Sequence, residues 1–414
     1  MLELWRRILS TSGAKLYAAF VGVFTLSITA RVLGPDGRGQ VAAITTWVGM
    51  FATFGSLSLG QIAIHRATQG GEQGANWLPR AFSVLGSFTL VATLIGWLLA
   101  LAINQGTSLF NQVEPALLVL GFALMPMMLW EQYGNALLMA REQLHISNRA
   151  QVLGRTLSAV LVAALVAYLG CGVAGALLAT LFGQLVASGW MALALHAVAR
   201  PLNAPSIPEV LSYLADGARL HLNAVGAFLI SGMDVLMVNM YRGSTETGYY
   251  QLGVQLTTLM LIVPQAASMV IYGKVAKQGP DEAWPAHRRL LVQVTLFMAA
   301  AAVVVGWTAS WWLPLLAGPG FEPTIGIFRW QLLGVVGMSF SIMMAAQWIG
   351  RGYFWQASLL TVAAGAANFV ANQVLVPRYG MLGAVWASLG CYLLSIGSNG
   401  YLIAMCELRT RKAL

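Results

Sequence analysis

The chain has 414 residues, 58% of them apolar and only 9% charged. A soluble domain carries about 25% charged residues, so this composition, with a mean hydropathy of +0.71, excludes an ordinary globular enzyme and a disordered chain. Lys and Arg outnumber Asp and Glu by 23 to 14, a net charge of +9. The basic residues sit mainly between apolar stretches, which reads as orientation in a membrane rather than nucleic-acid binding.

Apolar stretches are predicted at 11–33, 41–64, 81–103, 115–140, 150–169 and 173–198. A second set follows at 214–241, 249–272, 290–313, 324–349, 354–376 and 381–405. Each is close to the ~20 residues that cross a bilayer as a helix. Helices are expected because lipid leaves no partner for an open backbone, and the runs lack the alternation of barrel strands. The first stretch is long enough to span and lacks a signal-peptide cleavage pattern. Cys171, Cys391 and Cys406 are odd in number and form no CxxC, so neither a disulfide framework nor a metal site is indicated.

Eighteen basic residues fall on one side of these spans and four on the other, with Arg329 inside a span. That bias places both termini in the cytoplasm. The halves also repeat. Gly172-Val-Ala-Gly175-Ala matches Gly380-Met-Leu-Gly383-Ala at an offset of 208, Gly34 and Gly39 match Gly243 and Gly248 at 209, and Arg141 matches Arg351 at 210. Six spans per copy return the chain to its starting side, so the copies are expected about a pseudo-two-fold axis along the membrane normal. The expected fold is an all-α membrane protein with 12 transmembrane helices in two six-helix lobes, 1–204 and 205–414.

The segment Ala30-Arg31-Val32-Leu33-Gly34-Pro35-Asp36-Gly37-Arg38-Gly39 resembles the R-x-L-G-P-x-G-x-G turn of Wzx-type polysaccharide flippases. These belong to the polysaccharide transporter family of the multidrug/oligosaccharidyl-lipid/polysaccharide (MOP) superfamily. The resemblance covers the whole chain and implies a V-shaped bundle in the bacterial inner membrane. It implies movement of an undecaprenyl-diphosphate-linked oligosaccharide from the cytoplasmic to the periplasmic leaflet by alternating access, for surface polysaccharide such as O-antigen. Partners would be the lipid-linked oligosaccharide, membrane lipids, and the polysaccharide polymerase and chain-length machinery. Lipid II flippases of the superfamily usually carry fourteen spans, against twelve expected here.

Ionisable groups within spans cost about 2.5–3.5 kcal/mol each on insertion scales, so they face a cavity or a partner. Glu131, Asp234 and Arg329 are such groups. Asp216, Arg219, Asn223 and Asp234 fall within roughly 60° of one another on one helix, a polar stripe expected to face an inter-lobe cleft. Arg329 and Gln347 are expected on one helix face, as are Thr361, Asn368 and Asn372. A diphosphate headgroup favours fixed cations, with Arg suited to bidentate contacts. Arg31, Arg329, Arg219 and Lys15 are the candidates, with Asn368 and Asn372 as polar contacts. Asp234, and Glu131 beside it in kind, are the candidates for proton or sodium coupling or for a cavity. The five histidines are expected to be mostly solvated in cytoplasmic loops.

No cofactor is called for: Gly-Pro-Asp-Gly-Arg-Gly has no Gly-Lys-Ser/Thr to hold a nucleotide. An enzyme is not expected. The alternatives are a multidrug/cation antiporter of the same superfamily and, in another class, an integral-membrane polysaccharide polymerase or ligase. The latter needs a sizeable outward loop, and the chain offers none longer than about a dozen residues.

Overall fold

A computed structural model describes residues 13–68, 77–106, 110, 113–200 and 205–412, apart from the side chains of 14–16, 219 and 409–412. The described residues form helices and no strand. In chain order these are α1 Gly13–Gly55, α2 Leu59–Thr68, α3 Trp77–Gly106, α4 Pro115–Phe122, α5 Met125–Ala140, α6 Leu144–Leu161 and α7 Gly172–Val198. They continue as α8 Ile207–Ser231, α9 Met233–Met260, α10 Ile262–Gln278, α11 Pro280–Ala317, α12 Glu322–Gly350, α13 Phe354–Tyr379 and α14 Met381–Lys412.

Among the described residues, ten helical stretches are long and apolar enough to cross a membrane. At most 50% of any such apolar window is buried inside the protein. The remaining apolar surface, including Leu90, Val303 and Trp307 at 71% exposure each, suits lipid.

Two stretches contain a glycine where the helix is interrupted. The sequence predicts a loop between the first two spans, yet helical backbone resumes at once after Gly34. Gly34 alone leaves the helix, at φ 65° and ψ −176°, a region essentially restricted to glycine. Pro35 then starts the next helical segment, where its missing N–H costs nothing. Arg38, 7% exposed, reaches back across the break and donates to Thr29 Oγ1 at 2.7 Å. Gly243 repeats the break at φ 85° and ψ −177°. Its carbonyl accepts from Thr247 Oγ1 at 2.7 Å. Gly34→Ala and Gly243→Ala are each expected to cost about 1–3 kcal/mol, read as a lower melting temperature in detergent.

The other repeated positions also share local structure. Arg141 and Arg351 close α5 and α12 with φ, ψ of −92°, 2° and −91°, 0°. Gly172 and Gly380 lie at φ 57° and 59°. Gly175 and Gly383 leave room for close approach of the chain at Leu165 and Leu375.

Pro126 explains why the fourth predicted span is two helices: α4 ends at Phe122, and α5 begins with this proline in its first turn. The end of α6 widens into a π-helical turn over Val162–Tyr168, whose Val162 and Val166 pack on Ala176 and Ala179 of α7. Further along the same pair, Gly154 and Gly183 cross in backbone contact. A Cβ on Gly154 would lie 2.5 Å from the Gly183 carbonyl oxygen, and one on Gly183 would lie 2.6 Å from that of Gly154.

The helices gather into two compact units. One is Phe20–Phe228; the other is Leu229–Leu414 with the described residues before Phe20. The division therefore falls inside α8, whereas the sequence suggests 204/205. In the first unit, Gly217 of α8 sits against the Leu57 carbonyl, which would lie 2.5 Å from a Cβ there. Arg66 of α2 donates to Ser212 at 2.7 Å and pairs with Asp216 at 2.8 Å. Its guanidinium lies 3.9 Å from the Tyr213 ring centroid. Polar and close-packed contacts thus hold the start of α8 to the first unit.

Candidate functional site

The residues of the stripe expected on the seventh span fall in both units. The helix is broken at Gly232, which separates α8 from α9. Asp216 stays in the first unit, paired with Arg66, and Asn223 is exposed on α8. Asp234 is 3% exposed and buried within the second unit, so it does not sit on an open polar face.

The break places Asp234 in the first turn of α9, where the helix dipole favours a carboxylate. Asp234 Oδ1 accepts from Asn368 Nδ2 and Asn372 Nδ2, both at 2.7 Å. Asp234 Oδ2 accepts from the Tyr250 hydroxyl at 2.9 Å and from the Ser388 hydroxyl. Asn368 and Asn372 are four apart on α13 and so share a face. Ser388 comes from α14 and Tyr250 from α9 itself. Asn368 also donates to the Leu229 carbonyl at 3.0 Å, and Asn372 to the Asn368 carbonyl at 2.9 Å.

These four partners of Asp234 are neutral donors. The Oδ1 atoms of Asn368 and Asn372 are buried and accept no hydrogen bond. The cluster is thus one carboxylate ringed by amide and hydroxyl groups, with unused oxygen acceptors alongside. Oxygen donors of this type suit a proton or a hard monovalent cation better than a soft transition metal. Among the described residues, no group of three or more His, Cys, Asp or Glu could hold a metal. Tyr250 and Ser388 were not predicted as part of a site. Ser388 lies four residues beyond the repeated Gly380-Met-Leu-Gly383-Ala segment, but one serine in an apolar helix carries little signal on its own.

Asn368 and Asn372 are both fully buried, where the sequence suggests a wet face. Arg329 and Gln347 share a helix but not an environment. Arg329 is exposed, donating from Nε to the Gly306 carbonyl and from Nη2 to Ser310 Oγ, both at 2.9 Å. Gln347 is fully buried, donating to the Pro280 carbonyl at 3.3 Å and meeting His287 Nδ1 at 3.1 Å. His287 is therefore a buried packing residue, not a solvated one. The chain folds it inward because α11 begins at Pro280, ahead of the predicted span. Arg31 is exposed on α1, three residues before the Gly34 break. The side chains of Lys15 and Arg219 lie outside the described residues.

Glu131 lies elsewhere, in the first unit. It lines a cavity of about 160 Å³ between α5, α6 and α7, with Gln151, Arg155, Ser158, Thr180 and Gln184. Its carboxylate accepts from Gln184 and faces the positive charge of Arg155. The Gly154–Gly183 crossing forms part of the lining. Gln151 and Arg155 carry no signal of their own because α6 is rich in polar residues, and Gln184 is a lone amide in the apolar α7.

The polysaccharide biosynthesis protein family matches residues 4–272 of the chain. The chain belongs to this family. No curated protein matches it by sequence. Its fold is that of MOP superfamily transporters. The lipid II flippase MurJ, in an inward closed conformation, aligns with a TM-score of 0.76 at 12% identity, over 96% of this chain and 87% of that one. An inward-facing multidrug resistance MATE family transporter aligns at 0.75 and 16% identity, over 96% of both chains. A MOP superfamily transporter from Pyrococcus furiosus aligns at 0.61 and 16% identity, over 99% and 95%. The protein thus combines membership of a polysaccharide biosynthesis family with the MOP fold and, among the described residues, ten helical stretches long and apolar enough to cross a membrane.

Proposed function

We propose that the protein flips an undecaprenyl-diphosphate-linked oligosaccharide from the cytoplasmic to the periplasmic leaflet of the bacterial inner membrane, by alternating access. The observation that carries this reading is the family match over residues 4–272, on a fold it shares with a lipid II flippase. A cell lacking the protein is expected to lose surface polysaccharide and to accumulate the lipid-linked repeat unit. A multidrug antiporter would instead export cationic drugs from everted vesicles and leave polysaccharide untouched.

The twelve-crossing topology is part of the proposal. Tyr17–Gly55 and Met233–Gln278 are 39 and 46 residues long, longer than one crossing needs. Each contains a glycine break, at Gly34 and Gly243. Splitting both, and joining Leu220–Ser231 to the start of α9, gives twelve crossings in two copies of one six-helix plan. Reporter fusions at Gly279 and after Met405 are then expected to report cytoplasm; a periplasmic signal at either refutes this topology.

Asp234 is proposed to couple transport to a proton or sodium ion, because it is a buried carboxylate whose four hydrogen-bond partners are neutral. In this scheme Asn368 and Asn372 hold the coupling group and do not touch the lipid. Arg31 and Arg329 are proposed to meet the diphosphate, after Lys15 and Arg219 attract it on the cytoplasmic side.

A further inference from the structure

We propose that the cavity between α5, α6 and α7 is a sugar subsite, taking hydroxyl groups of the oligosaccharide carried by the lipid. The inference rests on the flippase reading and assigns part of the substrate to a place which that reading leaves open.

The cavity holds one carboxylate, Glu131, and one guanidinium, Arg155. Its formal charge is therefore balanced. A cation would meet Arg155, and a diphosphate would meet Glu131, so neither ion finds a matched site. The rest of its polar lining is Gln151, Ser158, Thr180 and Gln184. Amides and hydroxyls both donate and accept. A sugar ring offers paired hydroxyls that do the same, and planar carboxylate, amide and guanidinium groups can each engage two of them.

Backbone geometry makes the space. Gly154 and Gly183 bring α6 and α7 into contact, with a carbonyl oxygen 2.5–2.6 Å from either missing Cβ. Around this close crossing, Gln151, Arg155 and Gln184 line the cavity. Arg155 is exposed and Glu131 half-buried, so the cavity has a charged rim and a polar interior. Within the lining, Glu131 accepts from Gln184, Gln151 donates to Asn135 Oδ1 at 3.3 Å, and Thr180 donates to the Ala176 carbonyl at 2.9 Å. Amide and hydroxyl groups held in place by such bonds keep further donor and acceptor capacity for the hydroxyls of a sugar.

The test uses the purified full chain in lipid nanodiscs and two probes. One is the undecaprenyl-diphosphate-linked repeat unit extracted from cells lacking the protein; the other is undecaprenyl diphosphate without sugar. Glu131→Gln and Gln184→Ala are each expected to weaken binding of the first probe about tenfold, the value of one good hydrogen bond, and to leave the second unchanged. Gln151→Ala, from another part of the lining, is expected to do the same, and melting temperatures near wild type confirm that the variants fold. Equal losses for both probes would assign the cavity to the diphosphate, and no loss for either would make it structural; both overturn the proposal while the flippase reading stands. A wild-type protein that binds neither probe overturns both.

Discussion

Asp234→Asn is expected to abolish transport while leaving the protein folded. The carboxylate accepts four hydrogen bonds from Asn368, Asn372, Tyr250 and Ser388. An amide can accept through its oxygen alone, so about half of these are lost, and its own donors face the remaining partners. Hydrogen bonds to a charged group are worth about 1.5–3 kcal/mol each, a loss of about 3–6 kcal/mol. Against this, removing a charge from a membrane span relieves about 2.5–3.5 kcal/mol. The terms largely offset, and the protein level should hold. What goes is the site for a cation. Surface polysaccharide should fall to background. If sodium is the coupling ion, it should raise the wild-type melting temperature and leave that of the variant unchanged. If a proton is, acidification should play that part. Normal export by Asp234→Asn would make the cluster ordinary packing.

Arg329→Ala is expected to lose most export, and Arg329→Lys to retain part of it. The guanidinium is exposed, and the Gly306 carbonyl and Ser310 engage its Nε and Nη2. Those two contacts hold the planar group in a fixed orientation and leave Nη1 to reach a phosphate oxygen. Lysine keeps the charge but has a single nitrogen, so it cannot hold Gly306 and Ser310 and present a second donor at once. Surface polysaccharide and accumulated lipid-linked intermediate, measured together at matched protein level, decide the matter. Full export by Arg329→Ala would make the residue a clamp between α11 and α12 and nothing more.

The architecture was legible because its causes are local. Long apolar runs, Gly34 before Pro35, and repeated glycines act through the chain's immediate neighbourhood; the apolar runs appear as helices and Gly34 as a break, but helix continues at Pro35 where a loop is expected, and the fourth and seventh predicted spans are each two helices. The candidate sites were legible only in part. Periodicity placed Asp234 on a stripe with Asp216 by assuming one unbroken helix. Gly232 interrupts that helix, and the two carboxylates end in different units. Periodicity also put Arg329 and Gln347 on one face. It cannot tell that one end of a helix meets α11 through a carbonyl at Gly306 while the other end closes over His287. Tyr250 and Ser388 reach Asp234 from 16 and 154 residues away. Asn368 and Asn372 did carry a signal, four apart in an apolar helix, but the partner they serve was beyond reach of sequence spacing.

Reconstitution tests the central claim most directly. Purified protein in proteoliposomes, loaded with the undecaprenyl-diphosphate-linked repeat unit in one leaflet, should move that lipid to the other leaflet, as read by access of an added glycan-modifying enzyme. Wild-type protein is expected to expose the lipid-linked sugar, and Asp234→Asn to leave it protected. Liposomes in which wild-type protein moves the lipid no faster than protein-free controls would contradict the account.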